Sequence, residues 1–352
     1  MSDLPTSGSE WNPRLAVIVP AYNAAATLPA CLSALKRSTR RPDEIILFDD
    51  GSTDDTRMLA RNAGVRVIDN GGQAQGPAVG RNVGALATRA RTLLFVDADV
   101  ALAPNAIARL EAPIVNQFAV ATFGSYDDQP LSKKNAALYA NLRHHWMHQR
   151  GREDAFTFWS GIGAIDRTTF LQHRGFDPAF RKPSIEDIEL GIRVIEAGGS
   201  IRLVKDAFGT HLKEWTLVQL WRTDIFYRAV PWARLIQSGR VSGGDLNVSP
   251  REQVAAVFAH LIWVCTLLSI VEPLLWPMPI VAVAAYLALN RSFFRFLWQS
   301  AGPMAGLVGM GLHWCYHLYS SVAYALVKLL SELRALPRAK SNRRRENQER
   351  PK

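Results

Sequence analysis

The sequence has few cysteines and no signal-peptide pattern in its first residues. Each of these absences argues against a class of protein. The 352 residues contain three scattered cysteines, Cys31, Cys265 and Cys315, with no Cys-x-x-Cys pair. This number and spacing argue against a disulfide framework and against a structural zinc site. Residues 1–13 have no apolar stretch of signal-peptide type. We therefore expect a flexible N-terminus and a cytoplasmic location for the part that follows it.

Charged residues are missing from long runs near the C-terminus. The segments 254–271, 273–290 and 296–327 contain no Lys, Arg, Asp or Glu. Each reaches the length of about 18 apolar residues at which a helix can span a bilayer. We expect membrane helices over 254–327, with buried or interfacial helices as the alternative because Pro, His and Gly interrupt the runs. An even number of crossings is favoured, since it keeps the basic residues on the cytoplasmic side.

Positive charge is concentrated at one end of the chain. The net charge is +10, and residues 331–352 hold eight Lys or Arg against three Glu. We expect this basic tail to be disordered and suited to anionic lipid headgroups. The sequence gives no reason to expect a nucleic-acid partner.

Short apolar runs alternate with helical patterns between residues 14 and 124. The runs typical of strands are 14–19, 43–48, 65–69, 92–97 and 118–123. This alternation predicts an α/β fold whose mostly parallel sheet is covered by helices on both faces. In such folds, ligands bind where the strands reach their carboxyl ends.

Two carboxylates follow the fourth apolar run, in "LLFVDADV". Side chains two residues apart in an extended segment point the same way, so Asp97 and Asp99 can offer oxygens to one site while Ala98 turns away. Oxygen ligands of this kind suit Mg²⁺ or Mn²⁺. The alternative is a solvated loop in which both residues act as turn formers.

Taken together, the strand ends resemble the family 2 glycosyltransferases. The segments that carry this resemblance are "VIVPAYNAAATLPACLSAL", "DEIILFDDGSTDDT", "GPAVGRNVGA" and "LLFVDADV", followed by "SGIGAIDRTTFLQHRGFD" and "SIEDIELGIRVIEAG". The resemblance covers residues 14–235. It implies a GT-A domain over 14–240, with a nucleotide-sugar half at 14–124 and an acceptor half at 125–240.

The resemblance also implies donor-binding residues in the first half. Asp50 matches the carboxylate that binds the nucleotide base, and Pro20, Tyr22 and Asn23 match the loop that shapes the base pocket.

Two further residues follow the glycines of "GPAVG". Arg81 and Asn82 would lie near the diphosphate or the sugar, although Arg81 also fits an ordinary surface charge.

A divalent metal, Mg²⁺ or Mn²⁺, is implied by the same resemblance. Asp99 matches the direct metal ligand, and Asp97 lies closer to the ribose or sugar hydroxyls while sharing the metal site. His211 stands about where some GT-A enzymes place a third ligand or a phosphate contact. A lone histidine is also commonly structural.

The acidic cluster in "IEDIELG" supplies the expected proton acceptor. Asp187 matches the catalytic base of the family, which removes the hydroxyl proton of the acceptor, and Glu186 is its neighbour. A single displacement of this kind inverts the anomeric centre. The alternative is a helix N-terminus that is enriched in acids because of the helix dipole.

The sequence departs from the processive members of the family. Those enzymes carry Gln-x-x-Arg-Trp, whereas here Gln219 and Arg222 are followed by Thr223. This difference favours a single sugar transfer over polymer synthesis. Residues 223–235 also have the aromatic and basic character of an interfacial helix, with a buried helix as the alternative.

We therefore expect an inverting glycosyltransferase that takes a nucleotide-diphosphate sugar and a lipid or lipid-linked acceptor. Its expected location is a membrane, the inner or plasma membrane of a bacterium, with the catalytic domain in the cytoplasm. The alternatives are a processive polysaccharide synthase and a non-catalytic GT-A scaffold at the membrane.

Overall fold

The computed structural model describes residues 14–240 and 249–346, with side chains described as far as Leu333. The predicted flexible segment 1–13 and the end of the tail, 347–352, lie outside these residues. The chain divides into two compact units. We call them the sheet unit, which contains 1–129 and 152–213, and the helical unit, which contains 130–151 and 214–352.

This division differs from the predicted boundary at residue 240. Residues 130–151 and 214–240 group with the C-terminal helices instead of the GT-A half. The reason is packing, because Tyr139 and Leu142 are buried in one apolar cluster with Ala259 and Phe293.

Nine strands form one sheet in the described residues of the sheet unit. They are β1 Leu15–Ala21, β2 Glu44–Asp49, β3 Arg66–Asp69, β4 Thr92–Val96, β5 Val100–Leu102, β6 Ala121–Tyr126, β7 Asp154–Ala155, β8 Ile162–Asp166 and β9 Ile201–His211. All five predicted strands are present. The fifth begins three residues later than predicted, after a turn in which Gln117 has a φ of 60°.

The sheet order is β3-β2-β1-β4-β8-β6-β9-β5, with β7 paired to β9. The first four strands in this order are parallel to one another. Strand β8 runs antiparallel to β4 and β6, and β5 and β7 run antiparallel to β9. The α/β prediction is confirmed, and the sheet is mixed because the second half of the unit adds these antiparallel strands.

Helices cover both faces of this sheet, as predicted. The helices of the sheet unit are α1 Leu28–Arg37, α2 Thr56–Asn62, α3 Pro77–Leu86, α4 Ala106–Val115, α6 Arg167–Gln172 and α7 Glu186–Glu196. Along β4, Leu94 and Val96 belong to one buried cluster, and Leu93 and Phe95 belong to the other. This alternation places a separate apolar core on each side of the sheet.

Among the described residues of the helical unit, the regular elements are all helices. They are α5 Asn135–Arg150, α8 Leu217–Arg222, a π-helix Thr223–Ala229, α9 Val230–Gln237, α10 Pro250–Val271, a 3₁₀ turn Pro273–Leu275, α11 Pro277–Ala301 and α12 Pro303–Glu346.

Two stretches of this unit are long and apolar enough to cross a bilayer, Pro250–Val271 and Pro273–Ala301. Only 17% of the apolar window of each is buried. The third predicted run, 296–327, is shared between α11 and α12 and adds no further candidate among the described residues.

Helix α12 also continues as far as Glu346, through most of the segment 331–352 that the sequence predicts to be disordered. Residues 331–346 are helical here, and the disorder expected for the tail stays a prediction. Leu, Ala, Arg, Lys and Glu are good helix formers, and a segment that extends an existing helix does not have to nucleate a new one.

Candidate active site

The two carboxylates of "DADV" lie in a tight turn between β4 and β5. The amide of Val100 donates to the carbonyl of Asp97 at 3.0 Å, so the segment is a turn and is not extended as the sequence argument assumed. Ala98 is still turned into the core. The side chains of Asp97 and Asp99 keep 34% and 25% of their surface exposed. Both carboxylates can therefore be reached from solvent.

Pairing of β5 with β9 brings His211 to this turn. Val100 is the register partner of His211, and the amide of Leu212 donates to the Asp99 carbonyl at 2.8 Å. Nε2 of His211 lies 3.6 Å from Oδ2 of Asp99. The imidazole is buried and stacks on the ring of Tyr126, with ring centroids 4.5 Å apart. The predicted pair of Asp99 and His211 is thus assembled by a strand that the sequence did not reveal.

Arg81 is buried between two acidic side chains, so it is not the ordinary surface charge that was the alternative. Its Nη2 donates to Oδ1 of Asp97 at 2.7 Å, and its Nη1 donates to Oε1 of Glu186 at 2.9 Å. Gly84 allows helix α3 to lie this close to the sheet, because a Cβ there would meet Ile18 at 2.5 Å. Arg81 therefore joins the Asp-x-Asp turn to the start of α7.

The two predicted acids of the second half open helix α7. Both Glu186 and Asp187 are buried. Oδ2 of Asp187 accepts from the amide and the hydroxyl of Ser160, at 3.0 and 3.1 Å, and Oδ1 accepts from the amide of Ile188 at 2.8 Å. Oε2 of Glu186 accepts from the amide of Ser184 at 2.8 Å. These contacts fix both carboxylates in orientation.

Burial and neighbouring charges set the acidities in this site. Burial, together with the nearby charge of Glu186, raises the pKa of Asp187 to about 6. Burial also raises the pKa of Asp97, although Arg81 opposes this shift. For Asp99, burial acts in the same upward direction, but His211 and Lys213 outweigh it and hold the pKa below its usual value. Asp187 thus has a pKa of about 6, in the range that suits a general base at neutral pH.

Asp50 lies just beyond β2, where it organises the following loop. Its Oδ1 accepts from the side chain of Asn70 at 2.9 Å and from the amide of Gln75 at 2.7 Å, and its Oδ2 accepts from the amide of Gly76 at 2.8 Å. Gly76 has a φ of 96°, and a Cβ on it would meet the Arg181 carbonyl oxygen at 2.5 Å. Asp50 therefore connects the end of β2 to the backbone just before α3.

The other three predicted base-pocket residues lie near the end of β1 and in the loop that follows it. Pro20 is in β1, and Tyr22 is 56% exposed. Asn23 has a φ of 49°, and its Oδ1 accepts from the amide of Thr53 at 2.8 Å. The amide of Asn23 donates in turn to the hydroxyl of Ser52 at 2.9 Å. These bonds join the loops that follow β1 and β2 into one surface.

The side chain of Asn82 contacts the segment around Phe176, and its predicted place near the diphosphate or sugar stays a prediction. Its Nδ2 donates to the carbonyl of Phe176 at 2.7 Å, and its Oδ1 accepts from the amide of Phe176 at 2.9 Å. Both ends of the side-chain amide thus hold the segment around Phe176. Asn82 therefore positions that segment.

The residues of the turn fit a divalent cation. Ligand atoms that share one ion at about 2.1 Å each lie roughly 3 to 4 Å apart, as Asp99 Oδ2 and His211 Nε2 do. Arg81 binds only Oδ1 of Asp97, which leaves Oδ2 available to a ligand. One carboxylate and one imidazole therefore approach each other at this exposed turn, and Asp97 precedes Asp99 by two residues.

The contact of Ser160 with Asp187 and the short strand β5 are the two parts of the site that the sequence did not predict. Ser160 donates two hydrogen bonds to Asp187, a contact between segments that are 27 residues apart in the sequence. Strand β5 has only three residues, too few for an alternating pattern to be seen. The small residues of "WSGIG" are the sequence feature that could have indicated a close approach of another segment to this backbone.

Part of the chain matches a known protein family. Residues 16–177 match Glycosyl transferase family 2. The matched segment is less than half of the 352 residues, and it supports a family 2 glycosyltransferase for this part of the chain. It contains Asp50, Arg81 and the Asp-x-Asp turn, whereas Asp187 and His211 lie beyond it.

Similar curated proteins carry glycosyltransferase names. The PGL/p-HBAD biosynthesis glycosyltransferase of Mycobacterium bovis is 38% identical over 94 residues, which are 26% of this chain and 37% of that protein. The validoxylamine A glucosyltransferase of Streptomyces hygroscopicus subsp. limoneus is 26% identical over 240 residues, 56% of this chain and 51% of that protein. The chain thus spans about a third to a half of these relatives.

A solved structure shares the fold over a longer stretch. The mannosyltransferase of Pyrobaculum calidifontis, in complex with GDP-Man and Mn²⁺, superposes with a TM-score of 0.55 and 17% identity. It covers 90% of this chain and 88% of its own. At this identity the likeness shows the fold alone, a mixed α/β fold of the GT-A type.

Proposed function

We propose that the protein transfers one sugar from a nucleotide-diphosphate sugar to a hydroxyl or phosphate group of a membrane-located acceptor, with inversion at the anomeric carbon. One observation carries this proposal. Arg81 joins the Asp-x-Asp turn to the start of α7 through two hydrogen bonds, so the predicted donor-binding and acid–base residues form one connected site.

The donor would bind across the ends of β1, β2 and β4. Asp50, with Pro20, Tyr22 and Asn23, forms the surface on which we place the base. Asp97, Asp99 and His211 would hold a divalent ion, Mg²⁺ or Mn²⁺. When bound, such an ion offsets the negative charge of the diphosphate leaving group.

Asp187 is the proposed base. It would accept the acceptor's hydroxyl proton as the acceptor oxygen bonds to the anomeric carbon and the nucleoside diphosphate leaves from the opposite face. Its pKa of about 6 keeps it ionised at neutral pH while leaving it basic enough to take a proton. A phosphate acceptor that is already ionised would need no base, so this role of Asp187 belongs to a hydroxyl acceptor.

The helical unit supports a membrane-located acceptor. A helix from the core of a soluble protein would have its apolar window mostly buried, whereas Pro250–Val271 and Pro273–Ala301 are only 17% buried. The two candidate spans agree in number with the even count that the charge distribution favours. Phe226 in the π-helix is 62% exposed, as expected for an interfacial element.

A processive synthase is less well supported than a single transfer. Gln219, which aligns with the glutamine of the processive motif, forms a capping box with Thr216 at the start of α8. This local role explains the glutamine without a growing polymer. A non-catalytic scaffold is the remaining alternative, and it offers no reason for a buried Asp187 fixed by three hydrogen bonds.

The proposal is tested by donor turnover with the full chain in detergent. A panel of nucleotide sugars would be incubated with membrane lipid extract, with Mg²⁺ or Mn²⁺ and with chelator, and release of nucleoside diphosphate would be measured. We expect release with one donor class that is lost on chelation and in Asp99→Ala. Release that persists unchanged in Asp99→Ala would show that the metal site is assigned wrongly, and the absence of release with every donor would favour the scaffold.

A further inference from the structure

The helical unit contains a second cluster of metal-ligating side chains. One ligand atom from each of Glu252, His313 and His317 lies within 4.8 Å of the other two. Among the described residues, no other group of three or more such side chains converges this closely. Glu252 belongs to α10, and the two histidines stand one turn apart on α12. Residues four apart on a helix lie on the same face, which is why both imidazoles reach one point.

Each imidazole is oriented by a tyrosine at its Nδ1 atom. The hydroxyl of Tyr139 lies 3.1 Å from Nδ1 of His313, and the hydroxyl of Tyr286 lies 2.9 Å from Nδ1 of His317. Nε2 is therefore the nitrogen that remains for another partner. In metal sites the ring nitrogen that does not bind the ion is usually held in this way, which fixes the ring and its tautomer.

The carboxylate completes a set of ligands that suits a transition metal. Oε2 of Glu252 lies 3.0 Å from Nε2 of His317. Both histidines are buried, while the Glu252 side chain is 27% exposed and offers a way in for an ion. Two imidazole nitrogens and one carboxylate oxygen match the three-ligand zinc sites that keep a fourth position for water.

From this geometry we infer that Glu252, His313 and His317 bind a divalent transition metal of the zinc class. The ion would join the first turn of α10 to α12 and neutralise the carboxylate among buried groups. Its ligands all belong to the helical unit, whereas Asp97, Asp99 and His211 belong to the sheet unit. The site therefore adds to the proposed donor metal and does not depend on it.

The experiment measures metal retained by the full chain in detergent. Asp99→Ala serves as the background, so that the donor site does not contribute. After loading with Zn²⁺ and dialysis against metal-free buffer, we expect about one zinc ion per chain by elemental analysis, since the three ligands serve a single ion. In the same background, His313→Gln and His317→Gln should each lose it. His260→Gln is the matched control, because His260 lies in α10 and pairs with Ser321 outside the cluster.

A gentler variant keeps the test decisive if the histidine variants fail to fold. Tyr286→Phe removes only the hydroxyl beside His317 and should weaken zinc affinity about 10- to 100-fold. Zinc should also raise the melting temperature of the background protein, because binding to the folded state alone stabilises it. No retained zinc in the background, or equal zinc in His317→Gln and His260→Gln, would overturn the inference. An unchanged affinity in Tyr286→Phe would also contradict it.

Discussion

The two units of this protein place apolar and polar side chains in opposite ways. In the sheet unit, apolar residues fill both sides of the sheet, and the partly exposed carboxylates of Asp97 and Asp99 stand just beyond the end of β4. In the helical unit, large apolar side chains of α10 and α11 face outward, with Ile270 73% and Val281 64% exposed. Polar residues such as Asp224, Asn290 and His317 are buried there. The first pattern suits water, and the second suits a surrounding medium that is itself apolar.

The largest expected effect is a loss of kcat when the proposed base in the sheet unit is replaced. Asp187→Asn keeps an oxygen that can accept from Ser160 but removes the base, so kcat should fall about 10²- to 10⁴-fold. Sugar transfer measured at saturating donor checks this. Asp206→Asn is the control, since that carboxylate is 61% exposed and pairs with Arg109 on the surface. Full activity in Asp187→Asn would remove the base assignment.

The buried ion pairs of Arg81 should matter more than any pair at the surface. Arg81→Met leaves Asp97 and Glu186 without their cation, and we expect a loss of roughly 3 to 5 kcal/mol in free energy of unfolding. Arg109→Met should cost less than about 1 kcal/mol, because its pair with Asp206 is exposed. Denaturant unfolding of the full chain in detergent compares the two. Equal losses would mean that the bridge adds nothing to the site's stability.

A charge placed on each unit's exposed apolar surface tests the contrast directly. Val264 on α10 and Val115 at the end of α4 are 50% and 64% exposed. Val264→Arg should disfavour membrane insertion by about 2.5 to 3.5 kcal/mol and lower the yield in the membrane fraction, whereas Val115→Arg should change neither. If both variants behave like the parent protein, α10 does not face lipid.

The smallest expected effect is on pH dependence. The folded pKa of Asp187 is about 6, above the ordinary value near 3.9. The base must be ionised, so kcat/KM should fall about tenfold per unit as the pH drops below about 6. The contribution to stability has the opposite sign, because the folded state holds this proton more tightly and gains stability as the pH falls from about 6 towards 4. A flat activity profile from pH 7 to 5 would contradict the assignment.

The sequence predicts the strands and most of the clustered residues of the sheet unit. Continuous apolar runs show where β1 to β4 end, and parallel strands bring those ends to one edge. Pairings between distant segments are not visible in this way. The contact of Asp99 with His211 depends on the three-residue strand β5, and the burial of Arg81 depends on a helix that packs through glycines.

The helical unit shows a different limit of sequence reasoning. Apolar runs reveal which helices can face lipid, but they do not reveal that α5 packs with them, because its own pattern is mixed. The histidines of α12 read as interruptions of an apolar run, and only the structure brings Glu252 beside them. Local helix propensity likewise outweighs the high charge of residues 331–346.

The central claim, a single sugar transfer to a membrane acceptor, is tested most directly by the mass of the product. Membrane lipid extract would be incubated with the full chain and an isotope-labelled nucleotide sugar, and the lipids would be analysed by mass spectrometry. The account predicts a lipid species heavier by one labelled sugar, which is missing when Asp187→Asn replaces the parent protein. A ladder of species with many sugars, label only in water-soluble products, or the same lipid product from both proteins would contradict it.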